Sequence, residues 1–158
     1  MKVALGSDEK GPLVDALVEA LRARNIDVRV FGPPAEGTSG PEQEVDWPLT
    51  SAHVARAVAA GEVDCGIVCC WTGTGASIAA NKVRGVRAAL CGDAETAKGA
   101  RTWNDANVLA LSLRATSPAV GKEILAAWFD TKAASDEWNV RQLARVAALE
   151  AAFGREDD

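Results

Sequence analysis

The sequence predicts a three-layer α/β fold, with a five-stranded parallel sheet covered by helices on both faces. Three observations predict it. Short apolar runs alternate with amphipathic stretches five times along 158 residues. The apolar runs are hydrophobic throughout rather than at every second position, as strands buried on both faces are. Glycine and proline fall between the runs, where turns and helix starts belong.

Taken in order, Val3 to Leu5 is the core of a first strand that ends in Gly6-Ser7-Asp8. Gly11-Pro12 opens a helix, because proline is tolerated in a first turn that needs no amide donor. Leu13, Val14, Leu17, Val18 and Leu21 form its apolar stripe. Ile26 to Phe31 is the second strand, and Gly32 to Gly40 is a loop rich in glycine and proline. A helix follows over Pro48 to Ala60, with Val54 and Val58 inward. Cys65 to Cys70 is the third strand, and Thr72-Gly73-Thr74-Gly75 turns into a helix over Ser77 to Lys82. Val86 to Cys91, Ala94 to Arg101, Val108 to Leu111 and Pro118 to Phe129 continue the alternation as strand, helix, strand and helix. Asn139 to Phe153 is an alanine-rich terminal helix, and residues Gly154 to Asp158 are an acidic tail expected to fray. The order is that of a Rossmann-like sheet, and one domain over residues 1–153 accounts for it.

Composition removes several classes of function. Hydrophobic residues make up 48% and charged residues 25%, which supports one packed core. With 22 acidic and 17 basic residues the formal charge is -5, a poor basis for nucleic-acid binding. No apolar run approaches a membrane span, and the opening Met1-Lys2-Val3-Ala4-Leu5-Gly6 reads as a strand rather than an export signal. The expectation is a cytoplasmic protein. Three of the four cysteines, Cys65, Cys69 and Cys70, crowd into one strand, with Cys91 apart, which suits neither a disulfide framework nor a zinc site. The single histidine, His53, reads as a surface helix residue.

Ligands of parallel sheets bind at the carboxyl ends of the strands. Here those ends are Ser7-Asp8-Glu9, Cys70-Trp71-Thr72-Gly73-Thr74-Gly75, Cys91-Gly92-Asp93 and Ser112-Leu113-Arg114. The second is the most informative. A strand delivers Cys70 to a glycine-rich turn and a helix start, whose free amides suit an anion. The positive helix end favours thiolate over thiol, which suits nucleophilic attack or removal of a proton beside a carbonyl. A buried strand end followed by a plain turn explains the same residues equally well, because free cysteine is often buried. Cys65, Cys69 and Cys91 read as packing residues.

The segment Gly66 to Lys82 resembles the signature of the ribose-5-phosphate isomerase B family, which also holds galactose-6-phosphate isomerase. Lys2 to Asp8, Val45-Asp46-Trp47-Pro48, Gly85 to Cys91 and Asn104 to Leu111 resemble further blocks of that family in the same order. The resemblance implies an aldose–ketose isomerase that uses no metal or other cofactor, with ribose 5-phosphate as the default substrate. By position, Cys70 would move a proton between carbons one and two through an enediol. The amides of Trp71, Thr72, Gly73, Thr74 and Gly75 would hold the oxyanion, with the Thr72 hydroxyl assisting. Asp8 would bind sugar hydroxyls and Asn104 would lie beside the reacting end. Arg114, Arg141 and Arg145 would grip the phosphate through paired donors. The family also implies a homodimer or tetramer whose sites use residues of two subunits.

Three departures stand out. Glu9 replaces a histidine beside Asp8, and its charge favours hydroxyl binding over phosphate. Trp71 replaces the glycine after the cysteine. Trp103 replaces the histidine that opens the furanose ring in the family, and an indole cannot transfer a proton in that way. A tetrose 4-phosphate needs no such step, because its ring-closing oxygen carries the phosphate. The competing explanations are that tetrose substrate and a site reused for binding without catalysis. Trp128 reads as core, whereas Trp47, Trp71, Trp103 and Trp138 occupy polar contexts that suit a ligand or subunit contact.

Overall fold

The computed structural model describes residues 1–33 and 46–153. Five strands form one parallel sheet: β1 (Lys2–Ser7), β2 (Asp27–Phe31), β3 (Cys65–Cys70), β4 (Ala88–Leu90) and β5 (Val108–Ser112). Their spatial order is β2-β1-β3-β5-β4. Six helices accompany them: α1 (Pro12–Ala23), α2 (Trp47–Ala59), α3 (Thr74–Ala80), α4 (Ala94–Asn104), α5 (Pro118–Asp130) and α6 (Glu137–Phe153). The Rossmann-like α/β architecture expected from the alternation is the one observed. Most of the loop expected over Gly32 to Gly40, and the tail expected to fray, lie outside the described residues.

Alternation along each strand divides the core into two layers. Val3, Leu5, Ile67, Cys69, Leu109 and Leu111 face α1, α4 and α5, and Trp128 of α5 is 2% exposed there. Ala4, Val68, Cys70, Val108 and Ala110 face α2 and α3. The second layer is thin because it is built on small residues. A Cβ on Gly6 would lie 2.7 Å from one Val54 methyl, and a Cβ on Gly66 would lie 2.5 Å from the other. Val54 therefore sits over two bare backbones, and α2 lies close to the sheet.

Local chemistry sets the helix ends. Asp46, Asp93 and Ser117 cap α2, α4 and α5 by accepting from the amides of Leu49, Thr96 and Val120. Pro12, Pro48 and Pro118 occupy first-turn positions. The fourth strand is shorter than the apolar run Val86 to Cys91, because the Val86 amide closes a turn onto the Val83 carbonyl. α6 is the exception to the layered plan. It meets the body mainly along α4, and Trp138, Val140, Val146 and Leu149 remain exposed on it.

Gly66→Ala is expected to lower unfolding free energy by about 1–3 kcal/mol, because buried Val54 cannot move aside. Gly92→Ala, with no atom within 4 Å of its added carbon, is expected to change stability by less than about 0.5 kcal/mol. Urea unfolding of both variants checks the contrast, and equal losses would refute it.

Candidate active site

Parallel register lines up the carboxyl ends of the three central strands. Ser7 of β1 pairs with Cys69 of β3, and Cys70 pairs with Ser112 of β5. The winding direction reverses between β1 and β3, which opens a crevice there. On the β1 side, the Ser7 hydroxyl donates to the Glu9 carbonyl at 2.7 Å and accepts from the Glu9 amide at 3.3 Å, closing a turn around Asp8. The Asp8 Oδ1 is buried and has no hydrogen-bond partner among the described residues. Burial raises the Asp8 pKa above the ordinary 3.8; a backbone hydrogen bond opposes the shift, and the charges of Glu9 and Asp46 add to it. An acceptor held this way suits a ligand hydroxyl, which would supply the missing donor.

On the β3 side, Cys70 is 5% exposed and its side chain lies on the α2 and α3 face of the sheet. Its carbonyl accepts from the Gly73 amide at 3.2 Å and from the Leu113 amide at 3.0 Å. The next carbonyl, that of Trp71, accepts from the Arg114 amide at 3.0 Å and from the Ser112 hydroxyl at 2.9 Å. The chain leaving β5 thus ties down the turn leaving β3 and brings Arg114 beside Trp71. Gly73 has φ 75°, and a Cβ there would lie 2.6 Å from Leu90 Cδ1 and 2.8 Å from the Leu111 carbonyl carbon. Only glycine fits both the backbone and the space.

The amide set is narrower than the sequence suggests. Gly73 donates its N–H to Cys70, so it is not free for an oxyanion. The first intrahelical donor of α3 is Ser77, to the Gly73 carbonyl at 3.0 Å, which leaves the amides of Thr74, Gly75 and Ala76 without partners in the helix. The Thr72 and Thr74 hydroxyls bond each other at 2.7 Å above the turn. Trp47, in the first turn of α2, lies with its ring where a Cβ on Gly75 would be 3.0–3.1 Å away. It walls the turn; the sequence marked Trp47 as a contact residue but not its place against Gly75.

Trp103 and Asn104 are not part of this cluster in the same chain. They end α4, which runs from the carboxyl end of β4 back to the amino end of β5. The Arg87 Nε, just before β4, donates to the Asn104 carbonyl at 3.1 Å. Cys70 lies four residues beyond Gly66, the β3 partner of Val108, so the strand alone separates the two groups by roughly 13 Å. Trp103 is 60% exposed, and its indole rests on Gly99, where a Cβ would be 2.9 Å from the ring. Arg141 and Arg145 belong to α6. Arg141 lies 4.0 Å from the Glu137 carboxylate, and Arg145 donates to Gln142 at 3.0 Å. A groove of about 1440 Å³ runs between α6 and the body, lined by Arg87, Trp103 and Asn104 on one wall and Gln142, Val146 and Glu150 on the other. The expected site residues therefore fall into two separated groups within one chain: Asp8, Glu9, Cys70 to Gly75 and Arg114 at one end of the sheet, and Trp103 and Asn104 at the other. The physical reason is the antiparallel run of α4 against the strands.

Residues 3–149 match the family described as Ribose/Galactose Isomerase. The chain belongs to that family. It is 41% identical to ribose-5-phosphate isomerase B of Escherichia coli over 80% of this chain and 82% of that protein. It is 34% identical to D-erythrulose-4-phosphate isomerase of Pectobacterium atrosepticum over 84% of each. The solved ribose-5-phosphate isomerase B of Clostridium thermocellum superimposes with a TM-score of 0.84 at 37% identity, covering 97% of this chain and 99% of that one.

Against the ribose/galactose isomerase background, the remaining cysteines read as packing. Burial pushes the Cys65 and Cys91 thiols up to about 11 and the Cys69 thiol up to about 12, from an ordinary 9.0. Among the described residues no group of three or more His, Cys, Asp or Glu side chains is arranged to hold a metal ion. No described helix is long and apolar enough to cross a membrane.

The three raised thiols set an alkaline limit on stability. Unfolded, each ionises near 9.0, while the folded forms hold their protons to about 11 or 12. The native state then binds more protons than the unfolded state, so stability falls as pH rises above 9. Urea unfolding at pH 8, 9 and 10 is expected to show that fall, with a shallower slope in Cys69→Ala; a flat profile would contradict the buried assignment.

Proposed function

We propose that this chain interconverts the aldose and ketose forms of a phosphorylated sugar, with ribose 5-phosphate to ribulose 5-phosphate as the default reaction. The observation that carries the reading is Cys70, ending β3 one turn before the unpartnered amides of α3. The Cys70 thiolate takes the proton from carbon two of the open-chain aldose. The electron pair moves into a carbon–carbon double bond, and the carbonyl oxygen on carbon one takes up the negative charge. The amides of Thr74, Gly75 and Ala76 stabilise that oxyanion where charge develops. The proton of the carbon-two hydroxyl passes to the oxygen on carbon one, and the thiol returns its proton to carbon one, leaving a hydroxyl there and the ketose carbonyl on carbon two. No oxidant or metal is required, because the electrons stay within the sugar.

The other groups bind and orient. Asp8 accepts from a sugar hydroxyl, and Glu9 favours hydroxyls in the same place. The Trp71 and Trp47 rings flank the turn. Arg114 offers the phosphate a fork of donors. Trp103, Asn104, Arg141 and Arg145 serve the site of a second copy, so the working unit is a homodimer or tetramer with shared sites. The exposed apolar residues of α6 and the exposed Trp103 support that assembly. The cytoplasm suits an enzyme whose four cysteines are all free thiols.

Trp103 favours a second reading of the substrate. An indole N–H can donate but cannot shuttle the proton that opens a furanose. A tetrose 4-phosphate arrives open, and bulky indoles shorten the pocket to its length. The Pectobacterium relative bears such a substrate in its name.

Assays with ribose 5-phosphate, erythrose 4-phosphate and six-carbon aldose phosphates test the proposal. Conversion of at least one is expected, with Cys70→Ala losing roughly 100- to 10,000-fold in kcat while still folding. Faster turnover of the tetrose, together with a gain on ribose 5-phosphate in Trp103→His, would select the second reading. Binding without conversion of any sugar would overturn the enzymatic one.

A further inference from the structure

Between α4 and β5 the chain makes a left-handed turn at Asp105, with φ 42° and ψ 44°. Two arginines from different elements close on its carboxylate. Arg87 Nη2 lies 3.1 Å from Oδ2, and Arg101 Nη1 lies 3.4 Å from Oδ1. The same Arg87 donates through Nε to the carbonyls of Asn104 and Asp105, at 3.1 and 3.0 Å, and through Nη2 to the Asp105 carbonyl at 2.8 Å. Arg101 also donates to the Ala106 carbonyl. Asn107 spans the same gap, accepting from the Arg87 amide at 2.7 Å and donating to the Gly85 carbonyl at 2.9 Å. Three successive carbonyls, those of residues 104, 105 and 106, are thus held by two guanidinium groups. The Asp105 carboxylate contacts both groups and offsets one of their two positive charges. The side chains of Trp103 and Asn104, just before it, stay exposed toward the groove beside α6.

An isolated exposed ion pair contributes little and fixes little. This arrangement differs, because the charges converge on the backbone that carries Asn104 rather than on each other alone. We propose that Asp105, acting through Arg87 and Arg101, is a positioning residue that fixes the pose in which Trp103 and Asn104 enter the site of a second copy of this chain. It touches no substrate. The inference rests on the reading that Asn104 serves a reacting centre built around another chain's Cys70.

Two variants test it. Asp105→Asn keeps the shape and tolerates the left-handed backbone, but loses the charge. Arg87→Lys keeps a positive charge but loses the fork that binds two carbonyls. Each is assayed alone beside Asn104→Ala, and again after joint refolding with an equal amount of Cys70→Ala. Both positioning variants are expected to lose about tenfold or more in kcat with a smaller change in KM, at a melting temperature close to that of the parent. In mixtures with Cys70→Ala, all three are expected to regain about a quarter of parental activity, because half the dimers are mixed and each mixed dimer has one intact site.

If Asn104→Ala keeps its kcat, the reading of that residue fails and the positioning role falls with it. If Asn104→Ala loses kcat while Asp105→Asn and Arg87→Lys keep theirs, only the positioning role is overturned. A joint loss of activity and melting temperature in both variants would mark a purely structural role and also overturn it. Absence of rescue by Cys70→Ala would overturn service to a second chain.

Discussion

The direction of β3 between β1 and β5 is the constraint on which the rest of this structure depends. Because all three strands run the same way and in register, Ser7, Cys69, Cys70 and Ser112 end in one row. Every feature of the candidate site follows from that alignment. Asp8 emerges one residue beyond the row. The Cys70 carbonyl binds both its own turn and the chain leaving β5, so the turn cannot drift. Gly73 then needs a left-handed backbone and an empty Cβ position, and Leu111 of the neighbouring strand forms the wall it faces. Two glycines under Val54 let α2 approach, which brings Trp47 over Gly75. The small residues of the thin layer and the reactive residues at its edge belong to one design.

The same sheet that gathers one half-site sends the other away. A helix joining parallel strands must return to the amino end, so residues closing α4 lie opposite those opening α3. The chain therefore presents Cys70 in one place and Trp103 with Asn104 in another, while α6 leaves the body with apolar side chains uncovered. In the assembly proposed above, a second copy would cover that face and bring the two groups of residues together. This also makes the Gly99 and Trp103 pair intelligible, since a side chain at Gly99 would strike the indole and push it from the helix surface.

Much of this was legible in the amino acids. Apolar runs and proline at helix starts marked the elements within a few residues, and Cys70 stood out because a strand, a glycine turn and a helix start met there. What was hidden depended on spatial order. That β5 returns to lie between β3 and β4 is not written in any local pattern, yet it alone brings Arg87 to Asp105 and Leu113 to Cys70. The loss of the Gly73 amide to Cys70 is likewise a matter of turn geometry that residue types do not specify. The grouping of Asn104 with Cys70 came from the resemblance; one chain's topology separates them, and only the proposed second copy would unite them.

In the proposed reaction one thiol, that of Cys70, breaks a carbon–hydrogen bond. The most direct measurement follows an aldose phosphate carrying deuterium on carbon two, by NMR, as the enzyme turns it over. The account predicts that the parent protein cleaves that carbon–deuterium bond, delivering the label to carbon one or to water, and that Cys70→Ala leaves it intact. Cleavage by Cys70→Ala at the parental rate would contradict the account.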